Sequence, residues 1–181
     1  FTGKLAVTGT SGPGLALKSE TISLALSAEL PLVIVNVQRG GPSTGLPTKP
    51  EQSDLMFALY GRHGESPLPV VAAKSPSHAF NAAYEASRIA LKYMTPVILL
   101  SDNYVATGSE PWNLPNIEEL NKLDTNIITK LNTEDGFLPF LRNVDTFARP
   151  WALPGTPGLE YRVGGLEKEE GTGNVSYDAA N

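Results

Sequence analysis

The sequence predicts an α/β fold: a parallel sheet with helices on both faces, followed by a loop-rich C-terminal extension. Three observations carry this. Short apolar runs bounded by Gly and Pro alternate with segments of near-3.6 periodicity, the pattern of βαβ units with right-handed crossovers. Polar and glycine-rich stretches fall just after the apolar runs, where open α/β sheets bind ligands. The alternation stops near Val105, and the remainder is rich in Pro, Gly, Asn and acidic residues. A core over 1–105 and an extension and linker over 106–181, leading toward a following domain, are therefore expected.

Taken in order, Lys4-Leu5-Ala6-Val7 reads as a short strand that enters Thr8–Gly14. A helix is expected from about Leu15 to Glu29. Its leucines are too dense for a surface helix, which suits one packed on a sheet and shielded by another subunit. Pro31 opens a buried strand, Leu32 to Val37. Glu51 to Tyr60 reads as a helix closed by Gly61 as a C-cap. Pro69–Ala73 is a third strand. The clearest helix runs from Ser75-Pro76-Ser77 to about Tyr93. Ser75 or Ser77 can cap it, Pro76 suits its first turn, and Ala79, Phe80, Ala83, Ala86, Ala90 and Leu91 form its packed side. Pro96–Asp102 is a fourth strand. Ile117 to Leu131 is expected to hold a short helix, Pro150–Gly158 is extended and turn-rich, and Gly164–Gly173 reads as a mobile acidic loop that moves over the active site.

The chain has 181 residues, enough for one substantial core, and a formal net charge of -5 without a Lys/Arg run. That disfavours nucleic acid and membrane surfaces as partners. No apolar stretch approaches the ~20 residues of a membrane span. The absence of cysteine excludes disulfides, thiol nucleophiles and cysteine-held clusters within this sequence. With only His63 and His78, a histidine metal site is not expected. Since the sequence begins at Phe1 rather than methionine, it reads as part of something longer.

The segment Val37-Gln38-Arg39-Gly40-Gly41-Pro42-Ser43-Thr44-Gly45-Leu46-Pro47-Thr48 gathers a guanidinium, hydroxyls and glycines at a strand's end. Arginine presents a planar fork of donors to a carboxylate or phosphate, and glycines let backbone N–H groups approach an anion. The alternative is an exposed loop whose arginine pairs with a surface carboxylate. Lys49 is either a second cation for the ligand or an exposed lysine. Thr10-Ser11-Gly12-Pro13-Gly14 joins strand to helix, and either offers N–H groups to a polar or anionic ligand or is a tight turn capped by Ser11 or Thr10. It lacks the lysine of a P-loop and the third glycine of a dinucleotide site. His63 has no assignable nucleophile or orienting carboxylate, so a structural or partner-facing role competes with acid–base work. His78 is expected in solvent. Asp102 and Asn103 can reach the ligand crevice. Trp112 and Trp151 are expected to anchor loops or meet another chain.

Thr10–Gly14, Pro31–Val37, Gln38–Thr48 with Glu51-Gln52-Ser53-Asp54-Leu55, and Tyr60-Gly61-Arg62-His63-Gly64-Glu65 closely resemble the alpha subunit of 2-oxoacid:ferredoxin oxidoreductases, the two-subunit 2-oxoglutarate type above all. Pro96–Ser101 with Asp102-Asn103-Tyr104, and Pro154–Glu167, fit the same family. The resemblance implies a thiamine diphosphate pyrimidine-binding domain in a cytoplasmic enzyme that decarboxylates a 2-oxoacid, reduces ferredoxin and forms acyl-CoA from coenzyme A. It implies a partner beta subunit that holds the diphosphate, its Mg²⁺ and the iron–sulfur cluster. Arg39 matches the residue that receives the substrate carboxylate, with Thr48, Ser43 and Thr44 in the substrate pocket, and Thr10, Ser11 and Gly12 belong to the cofactor side. No metal ligand is expected in this chain. The family's Tyr-Pro-Ile-Thr-Pro stretch and activating glutamate would lie upstream of Phe1, so this stretch alone is expected to bind the cofactor poorly and turn nothing over. Pyruvate or branched-chain 2-oxoacids are alternative substrates. A non-catalytic anion-binding or interface module is the competing class.

Overall fold

A computed structural model describes residues 1–179. Four strands form one parallel sheet in the order β1-β2-β4-β3: β1 (Ala6–Thr10), β2 (Leu32–Gln38), β3 (Val70–Ala72) and β4 (Pro96–Asp102). Between them lie α1 (Gly12–Leu17), α2 (Ser19–Ser27), α3 (Leu55–Tyr60) and α4 (Ala79–Tyr93), and α5 (Asn103–Thr107) follows β4. From β1 to β2 to β3 the chain moves one way across the sheet, and from β3 to β4 it returns. Right-handed crossovers then put the intervening helices on opposite faces. Packing agrees. Leu15, Ile22 and Ala58 of α1 to α3 meet Ile34, Ile98 and Leu100 on one face. Ala82, Ala86 and Ala90 of α4 meet Val33, Val97 and Leu99 on the other. The alanines at every fourth position let α4 lie close to the sheet.

Several boundaries differ from expectation, each for a local reason. β1 continues through Thr8 and Gly9 to Thr10, because register with Ile34, Val35 and Asn36 overrides the turn-forming residues. The expected helix over 15–29 is two helices broken at Lys18, whose ψ of 1° leaves the α region. Its dense apolar residues are divided between core and surface: Leu15 and Ile22 are buried, whereas Leu17 and Leu24 are exposed. α3 starts only at Leu55, because Glu51, Gln52 and Asp54 spend their side chains on the neighbouring strand ends and loop. α4 begins after Ser75-Pro76-Ser77: Ser75 Oγ accepts from the His78 N–H at 3.3 Å and closes a turn ahead of the helix. His78 is half-buried rather than in solvent, and its Nδ1 accepts from Lys74 N–H at 3.4 Å.

α5 was not expected, and Val105 lies inside it. Of the helix expected over 117–131, only a single 3₁₀ turn, Ile117–Glu119, forms. The extension instead makes a two-stranded parallel sheet, β5 (Ile127–Ile128) with β6 (Trp151–Ala152), and packs back on the core. Trp151 and Ala148 are buried against Leu91 and Met94, with Leu5 and Ile127 alongside. Trp112 lies over Phe80 of α4 at 5.7 Å between ring centroids. Trp151 anchors its loop by burial, whereas Trp112 stays 44% exposed beside Phe80, a position open to either of the two roles expected for it.

This extension clasps the amino-terminal edge of the sheet, where α2 ends and β2 begins. Lys168 Nζ donates to Ser27 O at 2.6 Å, Arg149 Nη2 to Ala28 O at 3.4 Å, and Arg142 pairs with Glu29 at 2.8 Å. α2 has no basic residue in its own last turn, so distant residues supply the positive charge its C-terminus favours. Gly164–Gly173 therefore lies at the edge opposite the strand ends that carry Arg39, tied there by Lys168 and by the Gly171–Phe140 bridge. Its sequence suggested a flap over the active site; the chain's own α2 holds it elsewhere.

Candidate functional site at the carboxyl ends of the strands

β2 is apolar except at its end, where Asn36 and Gln38 lie two residues apart and so share a face. Both are buried, Asn36 completely. Asn36 Nδ2 donates to Asp54 Oδ2 at 2.9 Å, and Gln38 Oε1 accepts from the Asp54 N–H at 2.9 Å. Gln38 Nε2 donates across the sheet to Ser101 O at 3.2 Å, and Gln52 Nε2 donates to Asp102 Oδ2 at 2.6 Å. The other Asp102 oxygen caps α5 by accepting from the Tyr104 and Val105 N–H groups at 2.7 and 2.9 Å. Burial pushes the Asp102 carboxyl up, but these hydrogen bonds outweigh it and hold the group below the usual carboxylate range.

The network borders a cavity of about 160 Å³ lined by Gln38, Gln52, Leu55, Ala72, Ser101 and Asp102. It opens where the chain leaving β2 turns to one face and the chain leaving β3 turns to the other, the switch point at which such sheets take ligands. Asp102 thus reaches the crevice, as its strand-end position suggested, but its oxygens are spent on Gln52 and α5.

Arg39 follows Gln38 directly. Its loop turns back through a Gly40–Leu46 bridge, with Gly41 and Gly45 at φ of 85° and 72° and Ser43 at 57°. Arg39 Nη2 donates to the Thr44 carbonyl. Gly45 covers the arginine's stem: a Cβ there would lie 3.3 Å from Arg39 Nε and 2.7 Å from Gly40 O. Ser43, Thr44, Thr48 and Lys49 are exposed. Thr10, Ser11 and Gly12 sit at the end of the adjacent strand, and Thr10 pairs in register with Asn36. The two groups of site residues read from the sequence therefore share one edge, separated by the amides of Asn36 and Gln38.

Ser11 occupies the N-cap of α1 without a side-chain capping bond. The charge facing that turn is the chain's own. A Cβ on Gly12 would fall 2.8 and 3.0 Å from the two Asp54 carboxylate oxygens. A second anion here would be repelled, whereas a neutral ring carrying N–H donors suits the place. Two buried atoms at this edge lack a partner, Asn36 Oδ1 and Arg39 Nε. Asn36 must turn its NH₂ to the Asp54 carboxylate, which leaves its oxygen as a waiting acceptor. Buried polar atoms are rarely left in this state. Asn36 Oδ1 is an open acceptor at the strand ends, whereas Arg39 Nε lies covered beneath Gly45, as Arg149 Nε lies covered at the opposite edge.

Asn36, Gln38, Gln52 and Asp54 were not singled out from sequence. The available signal was two amides at alternate positions of an otherwise apolar strand. His63 falls at the far end of α3, away from these residues, in a loop ordered by Arg62, which donates to the carbonyls of Ala58, Leu59 and Ser66. Among the described residues no group of three or more His, Cys, Asp or Glu is placed to hold a metal, and no helix is long and apolar enough to cross a membrane.

A doubly wound parallel sheet presenting an arginine and buried amides at its switch point defines a small-ligand-binding α/β domain. The chain belongs to the pyruvate flavodoxin/ferredoxin oxidoreductase family of thiamine-diphosphate-binding domains, which matches residues 1–176. It is 54% identical over its whole length to the 2-oxoglutarate oxidoreductase subunit KorA of Mycobacterium tuberculosis, and covers 27% of that protein. It is 38% identical, again over its whole length, to the alpha subunit of a 2-oxoacid:ferredoxin oxidoreductase of Sulfurisphaera tokodaii, covering 28% of it. A solved 2-oxoglutarate:ferredoxin oxidoreductase of Magnetococcus marinus, holding 2-oxoglutarate, coenzyme A and succinyl-CoA, superposes with a TM-score of 0.81 at 38% identity, over 96% of this chain and 30% of that one. The chain thus spans between a quarter and a third of the length of these relatives.

Proposed function

We propose that this chain is the part of a 2-oxoglutarate:ferredoxin oxidoreductase alpha subunit that meets the aminopyrimidine end of thiamine diphosphate and receives the carboxylate of the 2-oxoacid. The observation that carries this is the position of Arg39, directly after the buried amides at the switch point, with a single side-chain hydrogen bond, to a carbonyl of its own loop. The activities of the relatives supply the substrate class. In this reading the enzyme is cytoplasmic, forms acyl-CoA, and delivers electrons to ferredoxin through an iron–sulfur cluster. A beta subunit holds that cluster, the cofactor's diphosphate and its Mg²⁺.

The residues present fit the cofactor's pyrimidine end. Asn36 Oδ1 is an acceptor suited to an amino group, Thr10, Ser11 and Gly12 border the same edge, and the Asp54 carboxylate disfavours the diphosphate there. Thiamine diphosphate, when bound, supplies the carbanion chemistry. The chain's own residues bind and orient. The Arg39 fork pairs with the substrate carboxylate, Gly45 keeps the arginine's stem from solvent, and Ser43, Thr44 and Thr48 line the approach. Fixing the carboxylate fixes the keto carbon relative to the cofactor, which is catalysis by positioning.

The test is Arg39→Ala in the assembled alpha–beta enzyme, assayed by ferredoxin reduction with 2-oxoglutarate, pyruvate and branched-chain 2-oxoacids. The KM for the preferred acid rises and turnover falls, by about 2–5 kcal/mol in transition-state stabilisation. Unchanged kinetics with impaired subunit assembly would instead make this edge an interface.

A further inference from the structure

The loop that carries the site is held by a residue outside it. Asn103, the first residue of α5, donates its side-chain N–H to Pro47 O at 2.8 Å across 56 positions of sequence. Asp102 fixes where Asn103 stands, because its carboxylate caps α5 and is itself gripped by Gln52. The outgoing limb is held from within its own segment, where Gly41 N–H donates to Glu51 Oε2 at 3.1 Å. Pro47 has no N–H, so its carbonyl is the only main-chain group by which that residue can be held. The bond ties the returning limb, one residue before Thr48, to the end of β4.

We propose that Asn103 is a positioning residue for 2-oxoacid binding, anchoring the 40–49 loop against the end of β4 in the place that aims the Arg39 guanidinium. The inference rests on the assignment of Arg39 above. Arg39 Nη2 bonds the carbonyl of Thr44, a loop residue, so the direction of the fork depends on the loop's shape. A loop released at Pro47 keeps its internal main-chain bonds, Leu46 N–H to Gly40 O at 2.6 Å and Gly40 N–H to Lys49 O at 2.9 Å, but moves as a unit against β4, and the fork moves with it. Binding then carries the cost of ordering the loop, and that cost falls on KM more than on turnover.

The experiment uses the assembled enzyme with Asn103→Ala, Asn103→Asp and, as the conservative variant, Asn103→Gln. Asp keeps the shape and removes the donor; Gln keeps the donor. The KM for the 2-oxoacid rises about five- to tenfold in Asn103→Ala and Asn103→Asp, the loss of one hydrogen bond, while kcat changes less than about threefold. Asn103→Gln restores at least part of the affinity. Hydrogen exchange quickens at residues 40–49, and the melting temperature stays near that of the wild type because Asp102 still caps α5. An unchanged KM in Asn103→Ala, while Arg39→Ala raises it, overturns the positioning role and leaves the Arg39 reading intact. An unchanged KM in Arg39→Ala itself overturns the reading beneath it. Equal losses in all three Asn103 variants with a lowered melting temperature make the residue structural.

Discussion

The two ends of the sheet employ arginine in opposite ways. At the amino-terminal edge Arg149 is 1% exposed, lies 5.2 and 5.6 Å from the Phe140 and Tyr161 rings, and donates through both terminal nitrogens to Ala28 O, Pro150 O and the Tyr161 hydroxyl. With Lys168 and Arg142 it fastens the extension to the end of α2. At the carboxyl-terminal edge Arg39 is half-buried and bonded only through Nη2, to one carbonyl of its own loop. A cation satisfied by carbonyls and ring faces holds a fold together. A half-buried cation at a switch point, with one bond of its own, is placed to meet a ligand, the role proposed for Arg39. If one edge serves stability and the other recognition, substitutions at the two should separate cleanly.

The largest separation is expected from Trp151→Ala. Emptying its buried site against Leu91 and Met94 destabilises the subunit by about 3–5 kcal/mol in denaturant unfolding, with the KM of the folded enzyme unchanged. Arg39→Lys should show the converse. It keeps the charge but loses the fork, so substrate affinity falls by about 1–3 kcal/mol while the melting temperature holds. A fall in melting temperature comparable to that of Trp151→Ala would merge the two edges into one role.

Asp102 sharpens the contrast from within the recognition edge. Asp102→Ala removes the cap of α5 and costs about 0.5–2 kcal/mol of stability. Its carboxyl is lowered by folding, so its contribution is complete above the unfolded pKa of about 3.9 and is lost as pH falls through the lower folded value. The acid limb of the wild-type stability profile should therefore be steeper than that of Asp102→Asn below about pH 4. The smallest effect belongs to the exposed Glu85–Arg88 pair on α4, where a double-mutant cycle should give no more than about 0.5 kcal/mol.

Much of the architecture was legible because the four apolar runs and the alanine periodicity of α4 are local signals of long-range packing. Boundaries failed where tertiary partners intervened. β1 lengthened through Thr8–Thr10 because β2 offers matching register there, and α3 lost its first turn because Gln52 and Asp54 are claimed by Asp102 and Asn36. α5 was missed because its cap, Asp102, is the last residue of a strand. The Arg39 segment announced itself through composition. The buried amides beside it did not, since Asn36 and Gln38 look like ordinary polar residues until two further strands close around them. The place of Gly164–Gly173 was also invisible, because Lys168 reaches Ser27 across 141 positions of sequence.

The most direct measurement is a crystal structure of the assembled alpha–beta enzyme with 2-oxoglutarate bound. The expected result is a substrate carboxylate within hydrogen-bonding distance of the Arg39 guanidinium, with Thr48 beside it and the Pro47 carbonyl still held by Asn103. A 2-oxoglutarate bound elsewhere, with the Arg39 guanidinium facing bulk solvent, would contradict it.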